Sequence, residues 1–311
     1  MWNNTYNLLV ILGPTASGKT KLAVHLAHAL NAEIISADSR QVYRDMNIGT
    51  GKDYQEYSIN GKLIPYHLID ILEAGSKYHV NRFKEDFENA FSDIQRRNIL
   101  PILCGGSGLY IHSILADFTF TAVPKNESIR ENLNTKSLVE LQHIFNDLPK
   151  TAYTHLADLT TQKRSIRAIE ICLFLNQNPE FRPDQIIEKK PMIIGINPDL
   201  ETRRERISNR LKQRLKEGLV EEVASLAGKG IDTSLFEYYG LEYKFVWRFL
   251  QNQINEQQLF ELLEIAIHQY AKRQMTYFRK MEKDGIKINW INGDLSFEDQ
   301  ISEAMKIMDK N

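Results

Sequence analysis

The eight residues Gly13-Pro14-Thr15-Ala16-Ser17-Gly18-Lys19-Thr20 constrain this chain more than any other stretch. They fit the pattern G-x-x-x-x-G-K-[ST] and stand where that pattern has meaning, after a short apolar run and before a helical one. Residues 7–12 (NLLVIL) read as a buried strand, and Leu22, Leu26 and Leu30 give residues 20–30 the spacing of a helix. In that setting the glycines let the backbone curl until its N–H groups point inward at phosphate oxygens. The same donors lie at a helix N-terminus, where unsatisfied N–H groups and the helix dipole favour an anion. Lys19 adds a mobile positive charge, and the Thr20 hydroxyl is the usual ligand for a Mg²⁺ carried by the phosphates. Against a chance glycine-rich turn stand four fixed positions and their context. The motif specifies a phosphate chain and leaves open which molecule owns it.

Further along, residues 33–37 (EIISA), 66–72 and 99–104 read as strands, and residues 80–97 and 109–115 as helices. Alternation at this rhythm predicts an α/β fold, a parallel sheet with helices on both faces. Then the texture changes. No glycine occurs between Gly108 and Gly195, although the chain has 16 in 311 residues. That stretch carries helix-like segments at 128–133, 138–148 and 163–175, with prolines at 124, 149, 179, 183 and 191. It predicts an all-helical insertion domain. Residues 192–196 (MIIGI) read as a return strand, and residues 287–290 as a last short strand before a terminal helix. The expected division is therefore 1–117 for the first part of the α/β core, 118–190 for the insertion, and 191–311 for completion of the core.

The charge balance is 39 Lys and Arg against 40 Asp and Glu, a net charge of -1. That excludes coating of nucleic acid by bulk positive charge, so any polyanion must be met by local clusters. Two cysteines, Cys104 and Cys172, cannot build a disulfide framework or a four-thiolate zinc site. The N-terminus, Met1-Trp2-Asn3-Asn4, lacks the basic start and apolar core of a signal peptide. No run of 18 apolar residues offers a membrane span. A cytoplasmic, monomeric protein without a membrane partner is the expectation.

Asp38 ends the second strand, at the carboxyl edge of the sheet and beside the phosphate loop. From position alone it is equally a general base, a ligand for a Mg²⁺-bound water, or a cap for the next segment. After it comes Ser39-Arg40-Gln41-Val42-Tyr43-Arg44, a polar and basic run suited to touching a ligand.

Here the residues become specific. GPTASGKT, ISADSRQVYRDMNIGTGK (35–52), PYHLIDI (65–71) and LPILCGGSGLYI (100–111) occur in order, followed by RERISNRLKQRLKEGLVEEV (204–223) and KRQMTYFRK (272–280). Together they resemble the tRNA dimethylallyltransferases, also called tRNA isopentenyltransferases, over about residues 7–290 and most weakly in the insertion. The resemblance implies a P-loop kinase-like sheet and an insertion that helps grip the anticodon stem-loop. It implies transfer of the allylic group of dimethylallyl diphosphate to N6 of the adenine 3′ of the anticodon, with the phosphate loop holding the donor's diphosphate. It assigns Asp38 as general base and Arg210, with Lys19, as stabiliser of the leaving diphosphate. Chemistry agrees: a delocalised amine needs a proton acceptor, and a departing diphosphate needs fixed positive donors.

Arg203, Arg206, Arg210 and Arg214 fall within about 80° of one helix face. Residues 203–216 hold seven basic side chains and one acid, Glu205. A solvated face is the bland reading, and an anionic partner the sharper one. Alignment with the family favours the second and places two more clusters near RNA: Lys163, Arg164 and Arg167, and Lys272 and Arg273 with Gln274. Ser39, Arg40 and Gln41 stand beside the base, and Ser107 and Arg130 match family positions that touch tRNA. Ser107 could equally cap a helix, and Arg130 be a surface charge.

The chain departs from the family at two places. Gly51-Lys52-Asp53 stands where Ala-Lys-Pro is common. In Gly240-Leu241-Glu242-Tyr243-Lys244-Phe245, Glu242 replaces a glycine and Phe245 an acidic or amide residue. Both lie outside the phosphate loop, Asp38 and Arg210, and are expected to bear on tRNA contacts. The C-terminal zinc finger of eukaryotic members is missing, which points to the bacterial type. Rival readings are a P-loop kinase for a small molecule or nucleoside, an adenylate isopentenyltransferase, and a non-enzymatic RNA-binding module.

Overall fold

A computed structural model describes residues 5–116, 120, 123–181 and 188–310. It divides into two compact units, Met1–Ala116 with Glu188–Asn311, and Asp117–Ile187.

The first unit begins with β1 (Leu8–Leu12), α1 (Lys19–Leu30) and β2 (Glu33–Ser36), then a hairpin of β3 (Ser58–Ile59) and β4 (Lys62–Leu63). The turn of that hairpin is Asn60-Gly61, both at positive φ. There follow β5 (Tyr66–His67), α2 (Val80–Arg96), β6 (Pro101–Gly105) and α3 (Gly108–Leu115). The second unit contains α4 (Glu127–Asn134), α5 (Leu138–Asp147) and α6 (Gln162–Gln177). The chain returns through β7 (Pro191–Asn197), α7 (Leu200–Lys216), α8 (Leu219–Gly228), α9 (Phe236–Tyr239) and α10 (Leu241–Leu250). It ends with α11 (Glu256–Lys283), β8 (Asn289–Asn292) and α12 (Phe297–Asp309).

The six-stranded sheet has the order β5-β2-β6-β1-β7-β8, and every pairing in it is parallel. All five residues of β1 are buried because both faces of the sheet are covered. Its side chains alternate: Leu8, Val10 and Leu12 join a core with Phe83, Phe87 and Phe91 of α2 and Phe278 of α11. Leu9 and Ile11 join a second core with Leu22 and Leu26 of α1 and Ala304 and Met308 of α12. Period-2 alternation thus sorts one strand between two cores.

Strand β5 is shorter than the expected 66–72. Pairing stops at His67, Leu68 and Asp70 take positive φ, and only an isolated Tyr43–Leu72 bridge continues the direction. The turn delivers the Asp70 carboxylate to Lys52, 2.5 Å away, and to the Tyr54 hydroxyl. Lys52 is 5% exposed, so straightening the strand would strand a buried charge. Among the described residues, no helix is long and apolar enough to cross a membrane.

The second unit packs Leu133, Leu141, Phe145, Ile166, Ile169 and Cys172 into a core of its own. A capping box of Ser137 and Glu140 starts α5. Glu170 of α6, 1% exposed, takes Arg130 through two bonds of 2.9 Å, Arg167 at 2.5 Å and the Asn126 N–H at 2.6 Å. Burial works against its charge, but these donors win and hold its pKa down at about 2, against an ordinary 4.5. A depressed carboxylate stabilises above its unfolded pKa and loses that contribution as pH falls through the folded one. This unit should therefore lose stability between about pH 4.5 and 2, and Glu170→Ala should cost about 3 kcal/mol at neutral pH. Thermal melts across that pH range, with and without the substitution, check both.

Candidate active site

The parallel register sets the ends of β1, β2 and β6 side by side, with Leu12 opposite Gly105 and Ser36 opposite Cys104. Gly13, Asp38 and the Gly105-Gly106-Ser107 turn therefore emerge together at the carboxyl edge, where open α/β sheets hold ligands. The strands approach closely: a Cβ on Gly105 would meet the Ala37 carbonyl oxygen at 2.3 Å, and one on Gly13 the Ile196 carbonyl oxygen at 2.6 Å. Between these turns opens a cavity of about 460 Å³, lined by residues 15–20, Asp38, Gln41 and Arg206, Arg210 and Arg214 of α7.

Helix α1 starts at this cavity without a side-chain cap or an acid in its first turn. Its first N–H groups and dipole are thus left for an anion. The Ser17 hydroxyl is the one buried side-chain polar atom without a hydrogen-bond partner among the described residues, and Ser17 lines the cavity. Lys19 donates to the Pro14 carbonyl at 3.3 Å. Burial pushes its pKa down and Arg210 adds to this, while Cys104, Asp38 and Glu56 oppose. A negative ligand in the cavity would pull that pKa back up.

Arg206, Arg210 and Arg214, four residues apart on α7, form the facing wall. Arg210 reaches the Thr15 hydroxyl in the loop, and burial, reinforced by Arg214, pushes its pKa down to about 10. Arg203 leaves the stripe. It lines a second hollow of about 520 Å³ with Arg204, His268, Lys272 and Arg279.

The departures bear on this wall as well: Asp53 lines the cavity, and Glu242 stands beside Arg214. Arg214, 7% exposed, has Asp53 Oδ2 and Glu242 Oε1 each at 3.9 Å. Helix α10 carries Glu242 there, and Glu222 of α8 anchors the other segment by accepting the N–H groups of Asn47, Ile48 and Gly49.

Asp38 both caps and faces the chamber. Its Oδ1 accepts the N–H groups of Arg40 (2.8 Å) and Gln41 (3.4 Å), and Oδ2 takes no hydrogen bond from the described residues. The Ser39 N–H donates to Ser107 Oγ at 3.3 Å, so Ser107 braces this turn and makes no side-chain cap for α3. Gln41 links Ser36 Oγ to the Gly51 carbonyl, 3.0 Å on each side. Arg40 lies over the Tyr238 ring, 4.3 Å from its centroid.

Gln274 corrects the expected RNA contact. It is 7% exposed, its Oε1 accepts the Thr15 N–H and its Nε2 donates to the Gly106 carbonyl, each at 2.8 Å. It ties the phosphate loop to the β6 turn. Gln274→Ala should cost about 1–3 kcal/mol through the two backbone groups left unpaired. Urea denaturation measures this, and a surface residue would show no loss.

Lys272 and Arg273 are exposed on α11, and Lys163 and Arg164 on α6, where Arg164 pairs with Asp158 at 2.9 Å. Arg130 and Arg167 share the one carboxylate of Glu170, which balances one of their two positive charges inside the second unit. Sequence reasoning passed over Thr50, Glu56, Tyr57 and Tyr270, all cavity-lining. The nearest signal was the 47–56 segment, polar yet glycine-bearing and set between two strands.

The chain matches the IPP transferase family over residues 41–281, and isopentenyl transferase over residues 6–61. It is 51% identical over 292 residues to tRNA dimethylallyltransferase 1 of Azobacteroides pseudotrichonymphae, covering 92% of this chain and 93% of that one. It is 47% identical over 304 residues to tRNA dimethylallyltransferase 2 of Phocaeicola vulgatus, covering 97% and 98%. The crystal structure of full-length tRNA isopentenylpyrophosphate transferase from Bacillus halodurans matches with a TM-score of 0.71 at 29% identity, covering 98% and 97%. A eukaryotic dimethylallyltransferase acting on tRNA shares the fold, with a TM-score of 0.77 at 23% identity, covering 96% of this chain and 77% of that one.

Proposed function

This chain belongs to the IPP transferase family, and from that premise we propose that it transfers the dimethylallyl group of dimethylallyl diphosphate to N6 of the adenine 3′ of a tRNA anticodon. One observation carries the reading: a single chamber holds an anion cradle on one wall and the Asp38 carboxylate, with an oxygen to spare, on another.

In this reading the diphosphate lies against the first turn of α1, Ser17, Lys19, Arg206 and Arg210. Nitrogen N6 attacks the allylic carbon, the carbon–oxygen bond to diphosphate breaks, and the N6 proton passes to Asp38 Oδ2. Negative charge grows on the leaving oxygen as positive charge grows on the allylic carbon, so donors fixed in advance at the leaving group lower the barrier. The Thr20 hydroxyl would hold a magnesium ion, whose charge assists the leaving group when bound. No trio of acidic, His or Cys ligands gathers among the described residues, which suits an ion that keeps its water and phosphate ligands. The adenine reaches Asp38 by leaving its stack, with Ser39 and Arg40 at its edge. Lys163, Arg164, Lys272 and Arg273 meet the phosphates of the anticodon stem-loop, and the insertion grips it.

The test is incubation with labelled dimethylallyl diphosphate and Mg²⁺, in parallel with unmodified tRNA, AMP and ATP. Label in tRNA is expected. Label in AMP alone identifies an adenylate isopentenyltransferase, ATP turnover without label a kinase, and neither a binding module.

A further inference from the structure

The acids around Arg214 invite a role of their own. A diphosphate carries several negative charges, and the chamber meets it with Lys19, Arg206, Arg210 and Arg214 as well as the α1 N-terminus. Such a wall binds the departing product as firmly as the diphosphate end of the substrate. Binding shared equally by ground and transition states adds nothing to kcat, and a tightly held product slows turnover. Asp53 and Glu242 come from distant parts of the chain. They meet at one guanidinium, each 3.9 Å from it. At that distance neither carboxylate makes a hydrogen bond that would aim Arg214. What remains is charge: two negative groups beside a 7% exposed cation, Glu242 with a side chain only 18% exposed and little screened by water, Asp53 half-exposed and screened more. Burial wins at Glu242 and leaves its carboxyl pKa above the ordinary value, although Arg214 and Arg210 pull against it.

We propose that Asp53 and Glu242 form an acidic counterweight on Arg214, which loosens the chamber's hold on diphosphate and so sets the rate of product release. The proposal rests on the assignment of the chamber to diphosphate. The probe is inorganic pyrophosphate, titrated calorimetrically against the full chain and its Glu242→Gln, Glu242→Asp and Asp53→Asn variants. Glu242→Gln keeps shape and removes charge, and should tighten binding about tenfold. Asp53→Asn, whose side chain is 51% exposed, should tighten it less. Glu242→Asp should restore wild-type affinity. In turnover, Glu242→Gln should lower both kcat and the KM for the allylic donor. Unchanged or weaker pyrophosphate binding by Glu242→Gln would overturn the counterweight and leave these acids as packing. Should that variant fail to fold, Asp53→Asn decides on the same criterion. Failure of the wild-type chain to bind pyrophosphate would instead overturn the diphosphate assignment, and the counterweight with it.

Discussion

Asp38→Asn should lower the single-turnover rate of prenyl transfer by about 10²–10⁴-fold and leave tRNA affinity unchanged. The substitution separates two functions of one side chain. An asparagine still offers Oδ1 to the N–H groups of Arg40 and Gln41, so the turn after β2 survives. What is lost is a carboxylate oxygen able to take the N6 proton as the new nitrogen–carbon bond forms. Equal losses of rate and of RNA binding would mean that Asp38 only shapes the turn.

Arg210→Ala should cost about 10²–10³-fold in kcat, the usual effect of removing one fixed donor at a centre of developing charge. The guanidinium is held by the Thr15 hydroxyl, and its pKa near 10 reflects burial next to Arg214. It is thus positioned before any ligand arrives and has little reorganisation to undergo. Arg210→Lys should recover only part of the rate, since an ammonium lacks the planar fork. Steady-state kinetics with the allylic donor varied will show it. A change in KM alone would mean that Arg210 binds substrate and transition state equally.

Much of this was legible because the chemistry resides in short contiguous motifs. The phosphate loop, Asp38 at the end of β2 and the α7 arginines are local patterns whose setting, strand then turn or helix face, can be read from spacing. The parallel sheet and the insertion followed from alternation and from the absence of glycine between Gly108 and Gly195. What escaped depends on packing between distant segments. Gln274 is a polar residue in a basic run until α11 lies across two turns and buries its amide. Arg203 shares a helix face with Arg206, yet the second hollow draws it away. That Arg130 and Arg167 share Glu170 is likewise invisible in the sequence, where the three lie 40 and 3 residues apart. The truncation of β5 follows from the burial of Lys52, a tertiary demand no strand propensity encodes.

The most direct measurement is the location of the transferred group. An unmodified anticodon stem-loop is incubated with dimethylallyl diphosphate and the wild-type chain, cut to oligonucleotides with a ribonuclease and sequenced by mass. The expected result is one N6-dimethylallyl adenosine, immediately 3′ of the anticodon, absent with Asp38→Asn. An unmodified stem-loop under conditions that turn over AMP, or a group attached elsewhere, would contradict the assignment.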